Sequence, residues 1–276
     1  MDDAKRFAFG RNWRAFLSGL AESQIREAEG SLSDMLGLGD LAGRTFLDAG
    51  SGSGLFSLAA RRLGAAVHSF DLDSESVGCT AELKQRYFPG DPQWQVSQGS
   101  LLDPSYIASI GHFDVVYSWG VLHHTGNMHC ALENIQLPTK PLGYLYIAIY
   151  NYQGYLSEIW RRIKKVHAGS WSGRWLVNTI FLPLFFLRAL AVGAVKYRNP
   201  WGYFTEYKRR RGMSVYHDWI DWLGGYPYEA ARPEEILRYF NSRGFDLVDL
   251  KTTHRLGCNE YLFKRSCGID STAAGR

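Results

Sequence analysis

Cysteine is scarce in this chain of 276 residues: four in all, Cys79, Cys130, Cys258 and Cys267, with no Cys-x-x-Cys pair among them. Such spacing excludes a disulfide framework and a thiolate metal site, and scattered reduced thiols fit a cytoplasmic protein. A strong excess of one charge is missing too. Against 31 basic residues stand 27 acidic ones, and a net charge of +4 does not by itself argue for nucleic acid. Residues 1–30 are charged and amphipathic and lack an apolar h-region, so a secretory leader is not expected. No internal repeat is visible. The chain is long enough to bury a full core as one domain with an elaboration, and its 46% hydrophobic and 21% charged content is ordinary for a globular protein. Aromatic residues, at 14%, are abundant and their Trp and Tyr members crowd the C-terminal half.

Glycine is concentrated where it says most. Residues 45–54 read TFLDAGSGSG: an apolar strand, an acid at Asp48, then Gly50, Gly52 and Gly54. Alternating glycines after a strand describe a tight turn whose backbone lies against a ligand, and the apolar run from Leu55 to Leu63 opens a helix whose unpaired N–H groups face the same place. The dinucleotide fingerprint G-x-G-x-x-G needs its third glycine where this chain has Leu55. A carboxylate at Asp48, directly under the turn, repels a pyrophosphate and attracts an ammonium group. S-adenosylmethionine carries an ammonium and a sulfonium and no phosphate, so the electrostatics agree with it better than with a nicotinamide cofactor.

Further landmarks follow at regular intervals. AVHSFD, residues 66–71, reads as a second strand ending in Asp71, where a carboxylate can accept both ribose hydroxyls of an adenosine, with Leu72 next to it. Asp73 is the neighbouring alternative, but it precedes a helical pattern over residues 76–86 and reads first as a helix N-cap. QGSLLD, residues 98–103, follows the strand-like WQVSQ. FDVVYS, residues 113–118, is an almost continuous apolar run, as a buried parallel strand should be, and leads into WGVLHH.

The D-x-G-x-G-x-G spacing resembles the first motif of the class I methyltransferases, and YSWGVLHHTG is similar to the fourth-strand motif of their ubiquinone/menaquinone-biosynthesis group. Four motifs in order cover residues 45–150. This resemblance implies S-adenosylmethionine as cofactor, held by Asp48, Gly50, Gly52, Gly54, Asp71 and Leu72, with Ser100 and Leu101 flanking the adenine and Trp119 at the end of the fourth strand. Family members often carry an acid at the position of Ser100; here that hydrogen bond is weaker or comes from a backbone group.

The expected fold is α/β: a doubly wound, mostly parallel, seven-stranded Rossmann-like sheet with a helical lid inserted after strand 5. N-terminal helices are expected over residues 1–44 and the cofactor-binding core over 45–150, with strands near 45–49, 66–71, 93–98, 113–118 and 143–149. A helix is expected near 127–137. A helical, aromatic insertion occupies 151–231, a final helix and strands close the core over 232–265, and 266–276 reads as a polar, disordered tail.

Inside the insertion, residues 176–195 are apolar and long enough to span a bilayer. Arg188, Pro183 and Asn178 interrupt the run, and one crossing there would split the sheet across a membrane, so a span is rejected. The stretch is expected to cover the active site, with peripheral membrane contact as the alternative; either implies a small acceptor with apolar or aromatic character. Lys208 to Arg211 form a basic run that reads first as a solvated helix face. Residues 211–229 mix Trp219, Trp222, Tyr226 and Tyr228 with His217, Asp218 and Asp221, and a capping helix and a substrate site are both consistent with that mixture.

For methyl transfer to a hydroxyl, a general base is useful. His124 is the first choice, as a neutral imidazole near its ordinary pKa, with Tyr150 and His217 as alternatives. Adjacent His123 and His124 are expected to point oppositely, with at most one facing the cleft. His123, His124 and His129 lack metal-ligand spacing, and no acid cluster for magnesium is visible, so no metal is expected. The leading reading is O-methylation of a small ring-bearing or lipid-like metabolite. Methylation of tRNA or protein, and non-catalytic nucleotide binding, are the alternatives.

Overall fold

The computed structural model describes residues 10–211 and 215–267. Strands β1 (Thr45–Ala49), β2 (Ala66–Asp71), β3 (Trp94–Gln98), β4 (Phe113–Trp119), β5 (Thr139–Tyr150), β6 (Phe245–Lys251) and β7 (Cys258–Arg265) form one sheet in the order β3-β2-β1-β4-β5-β7-β6. All neighbours from β3 through β5 are parallel, and β7 runs antiparallel between β5 and β6. This is the expected Rossmann-like architecture. Strand order reverses at β1, flanked by β2 and β4, so the crevice beyond the C-terminal ends of those strands is where an open parallel sheet binds a ligand.

Alternation along the strands builds a core on each face. In β1, Leu47 and Ala49 join Val116, Leu145, Ile147 and Phe263 on one side, whereas Phe46 joins Leu58, Val115, Tyr117 and Tyr146 on the other. Helices α1 (Gly10–Ser18), α2 (Glu22–Leu36), α3 (Leu55–Arg62) and α4 (Ser74–Tyr87) belong to the second side. Helix α5 (Pro104–Ser109), α6 (Met128–Ile135) and α11 (Pro233–Asn241) belong to the first. Side chains cap three helix starts: Asp73, as expected, caps α4 through Glu75 N–H, Asp103 caps α5, and Asn127 caps α6.

Three boundaries differ from expectation. The fifth strand starts at Thr139, because Thr139 pairs with Phe113 before a register shift carries the ladder to Tyr144 and Val115. Helix α6 stops at Ile135, short of Leu137. The apolar stretch is one 27-residue helix, α8 (Trp171–Tyr197), that runs through Pro183. Pro183 lies on an exposed side of α8, where the loss of one backbone hydrogen bond is tolerated.

The insertion consists of α7 (Tyr155–Gly169), α8, α9 (Gly202–Arg211) and α10 (Val215–Gly224). It does not divide the sheet, since β5 pairs with β7 over seven residue pairs from Tyr144–Lys264 to Tyr150–Cys258. Covering of the strand ends falls to α7 and α10. Helix α8 packs on α7, α9 and α10 as an outer layer, so residues 176–195 do not themselves cover the site as expected.

Candidate active site

The glycine turn is built as the sequence demands. Gly50, Gly52 and Gly54 have φ of 85°, 55° and 80°, a region where side chains are strained. Space is as restrictive as the dihedrals. A Cβ on Gly50 would collide with the Val121 side chain, and one on Gly54 would lie 2.9 Å from Thr80 Cα. On Gly52 it would meet the Trp13 indole Nε1 at 3.0 Å, so α1 lies directly over the turn.

Beneath the turn, Asp48 is 2% exposed and ends a buried chain of hydrogen bonds. Trp94 Nε1 donates to Ser69 Oγ (2.9 Å), Ser69 Oγ to Ser57 Oγ (2.7 Å), and Ser57 Oγ to Asp48 Oδ2 (2.5 Å). Every donor points toward the carboxyl, an alignment that strengthens each link. Burial nevertheless pushes Asp48 up to about 7; the Ser57 hydrogen bond opposes that rise and nearby Asp71 adds to it. Any charge it offers a bound cation acts through the turn rather than across open solvent.

Asp71 clamps the same turn. Its Oδ2 accepts the Gly52 N–H at 3.0 Å and its Oδ1 the Asp73 N–H at 2.9 Å, while burial raises its pKa. Asp73 is occupied as the α4 cap and also accepts Gly10 N–H at 2.9 Å, tying α1 to α4. Leu72 is 43% exposed beside the crevice. Ser100 Oγ accepts Leu102 N–H at 3.1 Å, a turn within its own loop. Leu101 is buried in the core and its carbonyl accepts Asn134 Nδ2 at 2.7 Å, so its side chain is a packing residue. Trp119 is 45% exposed, and its indole donates to Glu260 Oε1 of β7 at 3.1 Å, on the β5 side of β4 rather than toward Asp71.

The second half of the site lies under the insertion. His123 and His124 belong to a short 3-10 turn, Leu122–His124, not to the strand, and this brings both rings to one place instead of opposite faces. Their centroids are 4.5 Å apart and lie 3.9 Å and 5.4 Å from the Tyr150 ring. His123 Nδ1 accepts Tyr150 N–H at 3.3 Å, and its Nε2 is buried without a partner. His124 Nδ1 donates to the Pro227 carbonyl at 2.6 Å. Burial first, then the charge of Lys164, drives His124 down to about 3, which corrects the expectation of an imidazole near its ordinary pKa. Tyr150 is pushed well above its usual range by burial. His217 falls in α10, but its side chain lies outside the described residues, as do those of Lys208 to Arg211.

The sequence reading missed Lys164. It is fully buried in α7, its Nζ donates to the Trp222 carbonyl, and it sits 4.3 Å from the Trp222 ring centroid and 5.3 Å from that of Tyr228. Burial lowers its pKa to about 7, opposed by Asp221. Asp221, which accepts Asn12 Nδ2 of α1, is raised to about 7, again chiefly by burial. A Cβ on Gly225 would lie 3.1 Å from His124 Cε1 and 3.6 Å from Lys164 Nζ, so the Gly225 backbone packs closely against both groups. A signal existed: Ser157, Trp160, Lys164 and His167 recur at spacings of three, four and three, the inward-facing stripe of an amphipathic helix. Trp222 and Tyr228 lie 5.8 Å and 5.1 Å from Tyr150, whereas Trp219 packs on Phe185 and Phe204 within the insertion. Asp218 accepts the Tyr207 hydroxyl at 2.5 Å. Within α10, Trp219 and Asp218 thus pack inside the insertion, whereas Trp222 lies against Tyr150 and Lys164.

The turn fits a cationic, phosphate-free nucleoside. Buried Asp48 and half-buried Asp71, both raised chiefly by desolvation, stand below a backbone that leaves no room for side chains. Comparisons with known proteins agree. A family model described as a methyltransferase domain matches residues 13–249. One curated relative, the ribosomal protein L11 methyltransferase of Methylococcus capsulatus, is 39% identical over 71 residues, 25% of this chain, and the match spans only 24% of that protein's length. Among solved structures, the magnesium protoporphyrin IX methyltransferase of Synechocystis PCC 6803 with bound SAH shares 15% identity over 88% of this chain and 84% of its own, with a TM-score of 0.52. An O-methyltransferase family protein from Burkholderia thailandensis shares 14% over 90% of this chain and 59% of its own, with a TM-score of 0.55. These two likenesses establish the fold, and the domain match establishes the family: the chain belongs to the class I S-adenosylmethionine-dependent methyltransferases.

Proposed function

We propose that this chain transfers a methyl group from S-adenosylmethionine to an oxygen of a small, ring-bearing or lipid-like acceptor held beneath α7 and α10. The observation that supports this most is the composition of that region: Tyr150, Trp222 and Tyr228 pack together, and one buried amine, Lys164, stands among them. Rings offer stacking to a flat or apolar acceptor and a single polar group orients it. Helix α1 links the two halves, since Trp13 covers Gly52 while Asn12 reaches Asp221.

The sulfonium donor supplies an electrophilic methyl group, and the protein gains most by aligning the acceptor with it. A hydroxyl acceptor must also lose its proton. His124, near pKa 3, is too weak a base for that task, and Tyr150 stays protonated. Lys164 becomes neutral above about pH 7 without leaving its apolar surroundings, which suits a general base. His124 is then a positioning group, its ring fixed by Pro227 against Tyr150.

The test is a screen of phenolic, quinol and long-chain hydroxy acceptors with purified protein and S-adenosylmethionine, followed by mass spectrometry. A methyl ether as product supports the reading. Methylation confined to nitrogen or sulfur, or to a protein or tRNA, overturns it.

A further inference from the structure

Helix α8 is predominantly apolar yet buried on one side only: 17% of its most apolar stretch is covered, although it is long and apolar enough to cross a membrane. A helix of that composition is normally enclosed, either by protein or by lipid. Here its inner side meets α7, α9 and α10, and Leu176, Ile180, Leu184 and Leu187 form an outward stripe at spacings of four, four and three, each between 48% and 61% exposed. Trp171 and Trp175 flank the stripe at the N-terminal end, 79% and 61% exposed, and Trp201 at 59% follows its C-terminal end. An apolar patch of this extent marks an interaction surface rather than ordinary surface variation.

Charge identifies the occupant. Between Glu158 and Glu206 the sequence has no acidic residue and eight basic ones. Six of them, Arg162, Lys165, Arg174, Arg188, Lys196 and Arg198, are exposed on α7, α8 and the residue that ends α8. Two copies of such a face would bring positive charge against positive charge, which disfavours self-association through a two-fold axis. Membrane interfaces reward this very combination of aliphatic stripe, flanking tryptophans and surrounding cations.

We infer that the outer face of α7 and α8 docks the protein on an anionic lipid surface, with α8 lying in the interfacial plane. A single span is excluded by the direct pairing of β5 with β7 on either side of the insertion. The aromatic contacts Tyr150–Trp222–Trp160–Phe181, at 5.8, 5.5 and 5.4 Å, connect the strand ends to α8, so docking puts the proposed acceptor space next to the membrane. The inference goes beyond the proposed O-methylation and does not depend on it, because lipid binding is read without any acceptor.

The experiment is vesicle co-sedimentation of the full chain with phosphatidylcholine alone and with phosphatidylcholine containing about one third phosphatidylglycerol. Wild type should bind the anionic vesicles at least tenfold more tightly than the neutral ones, and raising salt from roughly 0.1 M to roughly 0.5 M should weaken binding. Leu184→Glu with Leu187→Glu should abolish vesicle binding while the affinity for S-adenosylmethionine stays unchanged, which shows that the variant is folded. Arg174→Glu with Lys196→Glu should reduce binding to anionic vesicles by about tenfold or more. Equal binding of the leucine variant and wild type, or no wild-type binding to either vesicle, overturns the inference. So does a wild-type dimer in sedimentation equilibrium that the leucine variant dissolves, for that would assign the face to a second copy.

Discussion

Two regions of the molecule bury an ionisable group, and the same physics drives them in opposite directions. Beneath the glycine turn, desolvation raises the Asp48 carboxyl to about 7; under the insertion it lowers the Lys164 ammonium to about 7. One is an acid beneath the cofactor turn, the other the amine proposed above as the proton acceptor. Their surroundings differ accordingly. Asp48 rests on serine hydroxyls and an indole N–H fixed by β2, β3 and α3, a support shared with the whole sheet. Lys164 rests on two aromatic faces and one carbonyl supplied by the insertion. Cofactor chemistry is thus anchored in the sheet and its glycine turn, whereas the acceptor chemistry proposed above would rest on the insertion.

The sharpest way to break this division is Gly52→Val. It forces a side chain into positive φ and into the Trp13 indole, and should abolish S-adenosylmethionine binding in calorimetry while circular dichroism shows the fold retained. Normal binding would remove the glycine turn from the account. Next in size, Lys164→Met keeps the length and apolar contacts of the stem but loses the amine. Turnover should fall by about 100-fold, in the range of a lost general base, with S-adenosylmethionine affinity unchanged. The rise of kcat through about pH 7 should vanish with it; a variant that lowers affinity and turnover together would make Lys164 a structural residue instead.

Asp71→Asn should weaken S-adenosylmethionine binding by roughly 10- to 100-fold, the loss of one or two charge-assisted hydrogen bonds, with Gly52 N–H losing its carboxylate partner. Unchanged affinity would move the ribose role elsewhere. The smallest effect belongs to His124→Ala, expected to slow turnover less than tenfold, since it orients rather than accepts a proton. A loss as large as that of Lys164→Met would restore His124 as the base.

How far the sequence reaches differs between the same two regions. TFLDAGSGSG, AVHSFD and FDVVYSWG state their structures almost directly, because a parallel strand, a glycine turn and an acid at a strand end each depend on a few neighbouring residues. Even Asp73 is legible as a cap from the helix that follows it. The insertion is different. That His123 and His124 converge on Tyr150 depends on a 3-10 turn that the strand-like reading of WGVLHH hides. The surroundings of Lys164 come from Trp222 and Tyr228, more than fifty residues away, and only its place on the inward side of α7 hints at them. Residues 176–195 announce their apolarity, but whether α8 lies against the strand ends or outside α7 is decided by tertiary packing.

The central claim is that the turn holds a cation over a buried acid, and the pH dependence of binding tests it most directly. Asp48 has a folded-state pKa of about 7, above its ordinary value of 3.8, so its contribution to the stability of the ligand-free chain is full below pH 3.8 and is lost as pH rises toward 7. Binding a cation compensates the charge that forms in that window. Calorimetric titration with S-adenosylmethionine between about pH 5.5 and about pH 8 should therefore show affinity rising toward pH 7 and then levelling, by up to about tenfold per pH unit. Asp48→Asn should show a flatter profile. A pH-independent affinity in wild type, or the same rise in Asp48→Asn, would contradict the account.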